Sequence, residues 1–392
     1  MADPEPHIYL ALLSWAYWSG RKELIDEITS RGERYLDLHD PETVESFLRL
    51  TACLYFPVSP DIPATTRVFH ETYADRIYHL MSSKFHVSPR HFWPEGRPFA
   101  LIMSHDIDRI RQTYQPAWKH LRRGRYFKGL LAIIRHMVMT RGDRDRDPYM
   151  NLQVILEQEK EWGIKSVVFV LNERRRPGQL LRLRPQHFFG IYDPKDIREG
   201  IRSLVNDGHE LGFHISMDGF NRKKALTREK NYLESLWGHG IRGVRTHYLL
   251  FSRETPALLA QEGFMYDSSL GFNFQCGFRC GTSFPFLLNI SGEQILWEIP
   301  LHIMDTALCG QPNGDDPGSP EPMEHIINPV IRQVTDGGGA LVINWHQRNF
   351  NRSGNPALFE LMESTLLTLK RKGAWVTTPE KLMRWWQTER PE

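Results

Sequence analysis

Apolar residues fall into two patterns along this chain. Short continuous runs occur at 99–103 (FALIM), 165–171 (KSVVFVL), 243–245, 295–299, 340–344 (ALVIN) and 374–377. Such runs, bounded by turn residues, predict strands buried on both faces. Between them, over 149–162, 193–207, 226–237, 254–262, 357–371 and 379–386, apolar positions recur at three- and four-residue spacing, which predicts amphipathic helices. Strands alternating with helices predict an α/β chain with a largely parallel sheet or barrel and helices covering it. The pattern differs before residue 95. There, 8–18, 22–35 and 42–56 all have helical spacing, and Pro41 after Asp40 is a helix-start signal.

This divides the chain into a helical N-terminal region over 1–95 and a (β/α) domain over 96–390, joined by the turn Pro94-Glu95-Gly96-Arg97-Pro98. A length of 392 residues accommodates both. One segment breaks the alternation. From 109 to 146 there are nine Arg and two Lys against two Asp, a local charge of +9, and 129–140 is apolar enough to bury. The segment reads as a basic helical insert, either solvated and ion-paired on its own fold or seated on an anionic membrane surface. It carries no nucleic-acid motif, so no nucleic-acid partner is expected. Residues 311–322, rich in Pro, Gly and Asp, predict a loop that borders a site. The four cysteines are irregularly spaced and complete no zinc knuckle, so reduced, structural thiols are expected. The apolar run at 8–18 lacks upstream basic residues and is too short to span a bilayer, so a cytoplasmic protein, peripheral at a membrane if the insert docks there, is the expectation.

The residues suited to chemistry sit just past the predicted strands, where an α/β fold places its site. Asp106 and Asp108 follow the first strand. Being two apart on an extended segment they project together, and two such carboxylates repel unless a cation or a shared proton intervenes. His214, Arg245 with His247, Asp267 and His346 follow other strands. His214 and Asp218 are four apart, which puts both on one side of a helical turn. With Asp108 they would give a cation one nitrogen and two oxygen donors. His209 and His214 are five apart, which excludes the paired histidines of a zinc-protease helix and leaves His209 a structural or supporting role.

In order, these motifs resemble the polysaccharide deacetylase (NodB-homology) family of metal-dependent carbohydrate esterases, in a variant branch with a spaced Asp pair. Ser104-His105-Asp106-Ile107-Asp108 is similar to the first motif, and Gly208 to His214 with Ser216 and Asp218 to the second. Val244-Arg245-Thr246-His247-Tyr248 resembles the third, Tyr266-Asp267-Ser268-Ser269 the fourth, and Leu341 to His346 the fifth. The resemblance covers roughly 97–385 and implies a distorted (β/α) barrel. It also implies Asp106 as catalytic base, Arg245 as the group that orients it, and His346 as general acid. Asp267 either tunes His346 or caps the following turn. Asp108 and His214 are implied as ligands of a divalent metal, most readily zinc (Zn2+). The family's second metal histidine falls on Asp218, and an extra histidine, His247, stands where the family usually has proline, so either completes the ligand set. Tyr248 stands where an aromatic forms the oxyanion contact, and Trp345 contacts substrate or fills core. The implied activity is removal of N-acetyl groups from an amino sugar or glycan intermediate. A sugar-binding relative that has lost turnover and an amide hydrolase acting on a small cyclic ureide are the alternatives.

Overall fold

The computed structural model describes residues 5–31, 40–55, 71–87, 92–110, 120, 124–140, 149–173, 192–291, 294–308, 323–350 and 356–389. The six apolar runs form strands β1 (Ala100–Ile107), β2 (Ser166–Leu171), β4 (Gly243–Thr246), β7 (Gln294–Glu298), β9 (Ala340–Asn344) and β10 (Trp375–Val376); four further strands, β3 (Glu210–Ile215), β5 (Tyr266–Asp267), β6 (Phe286–Ser291) and β8 (Ile303–Met304), were not among those runs. They make one sheet in the order β6-β7-β5-β4-β3-β2-β1-β9-β8, with β10 alongside the start of β1. Every pairing is parallel except the β6–β7 hairpin. The sheet curls into a half-barrel. All eight residues of β1 are buried, as are all six of β2, because helices cover one face and the half-barrel interior fills the other.

Two glycines show how closely the layers approach. Gly163 ends the helix Leu152–Trp162 in the left-handed conformation at φ 61°, its N–H bonded back into the last turn. At Gly243, a Cβ atom would lie 1.9 Å from the ring of Tyr266, so no side chain fits where β4 passes β5.

The N-terminal segments are helical over Glu5–Ser19, Lys22–Arg31, Pro41–Tyr55 and Tyr73–Lys84. The helix Glu5–Ser19 packs along β6, at the sheet's edge, where the Ser14 hydroxyl accepts the Leu287 N–H at 3.0 Å. Its buried Trp18 meets Tyr78, Phe92 and Phe284, and Phe284 continues to Trp386 of the C-terminal turn. Asp75 ties the helix Tyr73–Lys84 to the barrel by accepting from the hydroxyls of Thr282 (2.5 Å) and Ser283 (3.0 Å).

Part of the basic segment is a helix, Tyr126–Thr140. The expected burial of its apolar side chains does not hold for Leu130, Leu131 and Ile134, which face solvent. The expected loop at 311–322 lies outside the described residues. Cys276 is a free, buried thiol, and Cys280 is buried as well.

Candidate functional site

At the C-terminal ends of the parallel strands a cleft opens, with about 680 Å³ of space counted to its open mouth. Asp106, Asp108, His214, His247, Tyr248 and His346 all line it, brought together from four strand ends.

Asp106, the next-to-last residue of β1, is buried and held on both oxygens. The Arg245 guanidinium donates to Oδ1 at 2.9 Å, and the Asn344 amide donates to Oδ2 at 2.9 Å. Arg245 is itself fully buried. It also donates to the Ser104 hydroxyl, the Ser268 carbonyl and the Ser268 hydroxyl at 2.9–3.0 Å, and it lies over the Phe169 ring. Burial alone would raise the Asp106 carboxyl; the positive charges beside it, Arg245 foremost, outweigh it and hold the group below the usual carboxylate range.

Asp108 projects beside it. Its Oδ1 lies 3.3 Å from His214 Nε2 and 3.3 Å from His247 Nδ1, and those two nitrogens are 3.1 Å apart. His214 faces the Arg245 carbonyl through Nδ1 at 3.0 Å, which places its proton there and leaves Nε2 with a lone pair. Asp108 Oδ1 is buried and receives no hydrogen bond. Three electron-rich atoms converging this closely fit a cation: in a tetrahedral site with bonds of about 2.0–2.1 Å, ligands stand about 3.3 Å apart. Among the described residues these three form the group of His, Cys, Asp or Glu that could hold a metal ion.

Asp218 is not part of that group. The spacing argument placed it beside His214 on a helical turn, but His214 is still in β3, and the chain then turns at Ser216, whose hydroxyl accepts the Asp218 N–H at 3.1 Å. Its carboxylate pairs with Arg222 and Arg228 instead. His247, the alternative donor, occupies the position.

The imidazole of His346 is held from behind. Asp305 Oδ1 faces its Nδ1 at 2.6 Å and Asp305 Oδ2 accepts its backbone N–H at 2.8 Å, while Nε2 points into the cleft, 3.3 Å from Asp108 Oδ2. Burial and Arg348 pull the His346 pKa down; the carboxylates of Asp305 and Asp108 overcome both and push it up to about 9. The tuning role considered for Asp267 therefore falls to Asp305. Asp267 lies behind Arg245, where it accepts the Ser269 hydroxyl at 2.5 Å, and burial raises its pKa to about 6 against the hydrogen bonds and the Arg245 charge that lower it. Trp345 also departs from the substrate-contact expectation. It is buried among Ile303, Ile327 and Met362, because residues alternate along the strand and its neighbour His346 takes the cleft side.

Tyr248 stands at the rim, half exposed, with φ 59° and ψ 19°, a left-handed conformation unusual for a residue with a side chain. Asn273 donates to its carbonyl at 3.0 Å. Phe274, 41 % exposed, also lines the cleft.

Sequence reasoning missed Asp305, Asn344 and Arg348, the last donating to Asp108 Oδ2 at 3.1 Å. Asp305 obeys the rule that found the others, since it directly follows a strand, but that strand has only two residues. His209, given a structural or supporting role above, and His105 are both buried on Glu159 (3.3 and 3.0 Å), and His105 also binds the Trp345 carbonyl at 2.7 Å.

No family model matches the chain, and no curated protein matches its sequence. Solved structures do match its fold. A probable polysaccharide deacetylase from Pseudomonas aeruginosa PAO1 is 17 % identical, with a TM-score of 0.50 over 78 % of this chain and 96 % of that one. The PuuE allantoinase is 15 % identical, with a TM-score of 0.51 over the same shares of the two chains. The chain thus has the curled (β/α) half-barrel fold of the polysaccharide deacetylases, which the allantoinase shares.

Proposed function

We propose that this chain is a metal-dependent amide hydrolase that removes N-acetyl groups from an amino sugar or glycan. The observation that carries this reading is the pairing of opposite proton roles at one cleft: a carboxylate kept ionised by Arg245 and an imidazole kept protonated by Asp305, on either side of a three-donor cluster. Asp108, His214 and His247 would hold the cation, and a nitrogen-rich set of three protein donors suits zinc. Bound there, the metal supplies Lewis acidity to an acyl oxygen and acidifies water.

The residues around it divide the proton work. Asp106 accepts the proton of the attacking water, its carboxylate fixed in orientation by Arg245 and Asn344. His346 delivers a proton from Nε2 to the departing amine nitrogen, which would otherwise leave as a poor anion, and Asp305 stabilises the imidazolium before transfer. The open cleft with Tyr248 and Phe274 exposed at its rim supports a sugar substrate, since apolar sugar faces pack on aromatic rings.

The reading of a binding relative without turnover rested on Asp218 in place of a ligand histidine; with His247 in the cluster that support is gone. Hydrolysis of a small cyclic ureide stays as a second reading, on the fold shared with an allantoinase. The test is acetate release from N-acetylated oligosaccharides, with ureide turnover measured in parallel, on protein of known metal content. Asp106→Asn is expected to abolish turnover with metal retained, and Asp108→Asn to lose metal. Equal activity of wild type and Asp106→Asn overturns the assignment, and turnover of the ureide alone selects the second reading.

A further inference from the structure

The helix Tyr126–Thr140 exposes a row of apolar side chains that no element among the described residues covers. Tyr126 is 71 % exposed, Phe127 80 %, Leu130 54 %, Leu131 55 % and Ile134 47 %. At 100° per residue these five fall within an arc of about 140°, one continuous face. Gly129, on the opposite side, is buried. A soluble helix normally turns such a stripe inward, so a face of this kind marks an interaction site.

Its charge setting selects the partner. Arg125 and Lys128 are exposed on the same helix and its lead-in, and the stretch 109–146 carries the net charge of +9. Apolar side chains flanked by a dense cationic segment match a lipid surface with anionic headgroups: the rings and leucines enter the acyl boundary while the cations meet the headgroups. Among the described residues no helix is long and apolar enough to cross a membrane, so such a helix lies on the surface.

The two ends of the segment are held beside the site. The side-chain amide of Gln347, next to His346, donates to the carbonyls of Arg109 and Tyr149, where the chain leaves β1 and where it returns. Asn151 adds bonds to the carbonyls of Gln347 (2.5 Å) and Phe350 (3.0 Å). Both feet of the excursion therefore stand beside the cleft, and Arg109 lines it. We propose that the helix Tyr126–Thr140 docks this protein on an anionic membrane surface, with its catalytic cleft beside the docked face. This rests on the exposed helix and its charge and is independent of the reaction.

The test is sedimentation of the full chain with vesicles of phosphatidylcholine alone and with added phosphatidylglycerol, at low and high salt, beside the double variant Phe127→Glu/Leu131→Glu. Expected are affinity on the order of tenfold or more higher for the anionic vesicles, weakening at high salt, and loss of at least about tenfold in the double variant with its thermal midpoint unchanged. Equal partition to both lipids, or no wild-type binding at low salt, overturns the proposal whether or not the variant folds. A concentration-dependent dimer in light scattering that the double variant lacks, in protein that ignores vesicles, assigns the face to a second copy and likewise overturns it.

Discussion

Asp305 grips His346 twice, through Nδ1 at 2.6 Å and through the backbone N–H at 2.8 Å, so one carboxylate sets both the charge of the imidazole and the place of the chain that carries it. Asn349 adds a bond to the same carboxylate at 2.7 Å, which locks the turn after β9 around it. Replacing Asp305 by Asn keeps the shape but removes the counter-charge. The expected result is a fall in kcat on the order of a hundredfold, with KM and metal content little changed. Steady-state kinetics with metal analysis on the same preparation checks it; a proportional loss of bound metal would place Asp305 in the metal site instead.

The ligand set gives a pair of opposite expectations. His247→Ala removes one of three converging donors, so metal affinity should fall by at least about tenfold, and chelator-stripped wild type should regain activity on adding zinc. Asp218→Asn should leave stoichiometric metal, because its partners are Arg222 and Arg228. Both of those arginines are substantially exposed, so the stability cost should stay within about 1 kcal/mol. Competition with a chromophoric chelator reads both variants.

Arg245 is a buried cation whose loss strands a buried anion. Arg245→Met should cost about 3–5 kcal/mol in urea unfolding, and adding Asp106→Asn in the same chain should recover part of that, since the uncompensated charge is then gone. Two independent, additive losses would show that the pair does not interact as described.

His302 sets a pH limit. It is buried between β8 and β9, its Nδ1 accepting the Val342 N–H at 3.2 Å and its Nε2 facing the Thr282 carbonyl at 3.3 Å. Burial lowers its pKa to about 4. The unfolded chain, with an ordinary value near 6.5, therefore binds the proton more readily, and stability is lost as pH falls from about 6.5 toward 4. Between pH 7 and 5 this one group should remove about 2 kcal/mol. Urea unfolding at the two values, with His302→Asn as the variant that lacks the titration, checks the difference.

Legibility in the sequence followed strand length and periodicity. β1, β2 and β9 are continuous buried runs, and the polar residues at their ends, Asp106, Asp108 and His346, were found because nothing in a core explains them. Asp305 escaped because β8 is only two residues long, too short to show a period. Asp218 was misplaced because a four-residue interval was read as helical where the chain is a strand followed by a turn. Asp267 shows a different limit: its position past a strand end was legible, but whether it served His346 or Arg245 depends on which strands are neighbours. Sheet order puts β5 beside β4 and sends β8 to β9, and spacing along the chain carries no information about that.

The seating of the helix Glu5–Ser19 along β6 has a consequence for self-association. An outermost strand presents unpaired N–H and C=O groups on which another chain can grow. Here Ser14 takes up the Leu287 N–H, and the helix packs along the strand where an incoming one would pair. The first helix thus acts as a molecular stopper, and a chain shortened by that helix would present a bare, sticky β6 to its own copies.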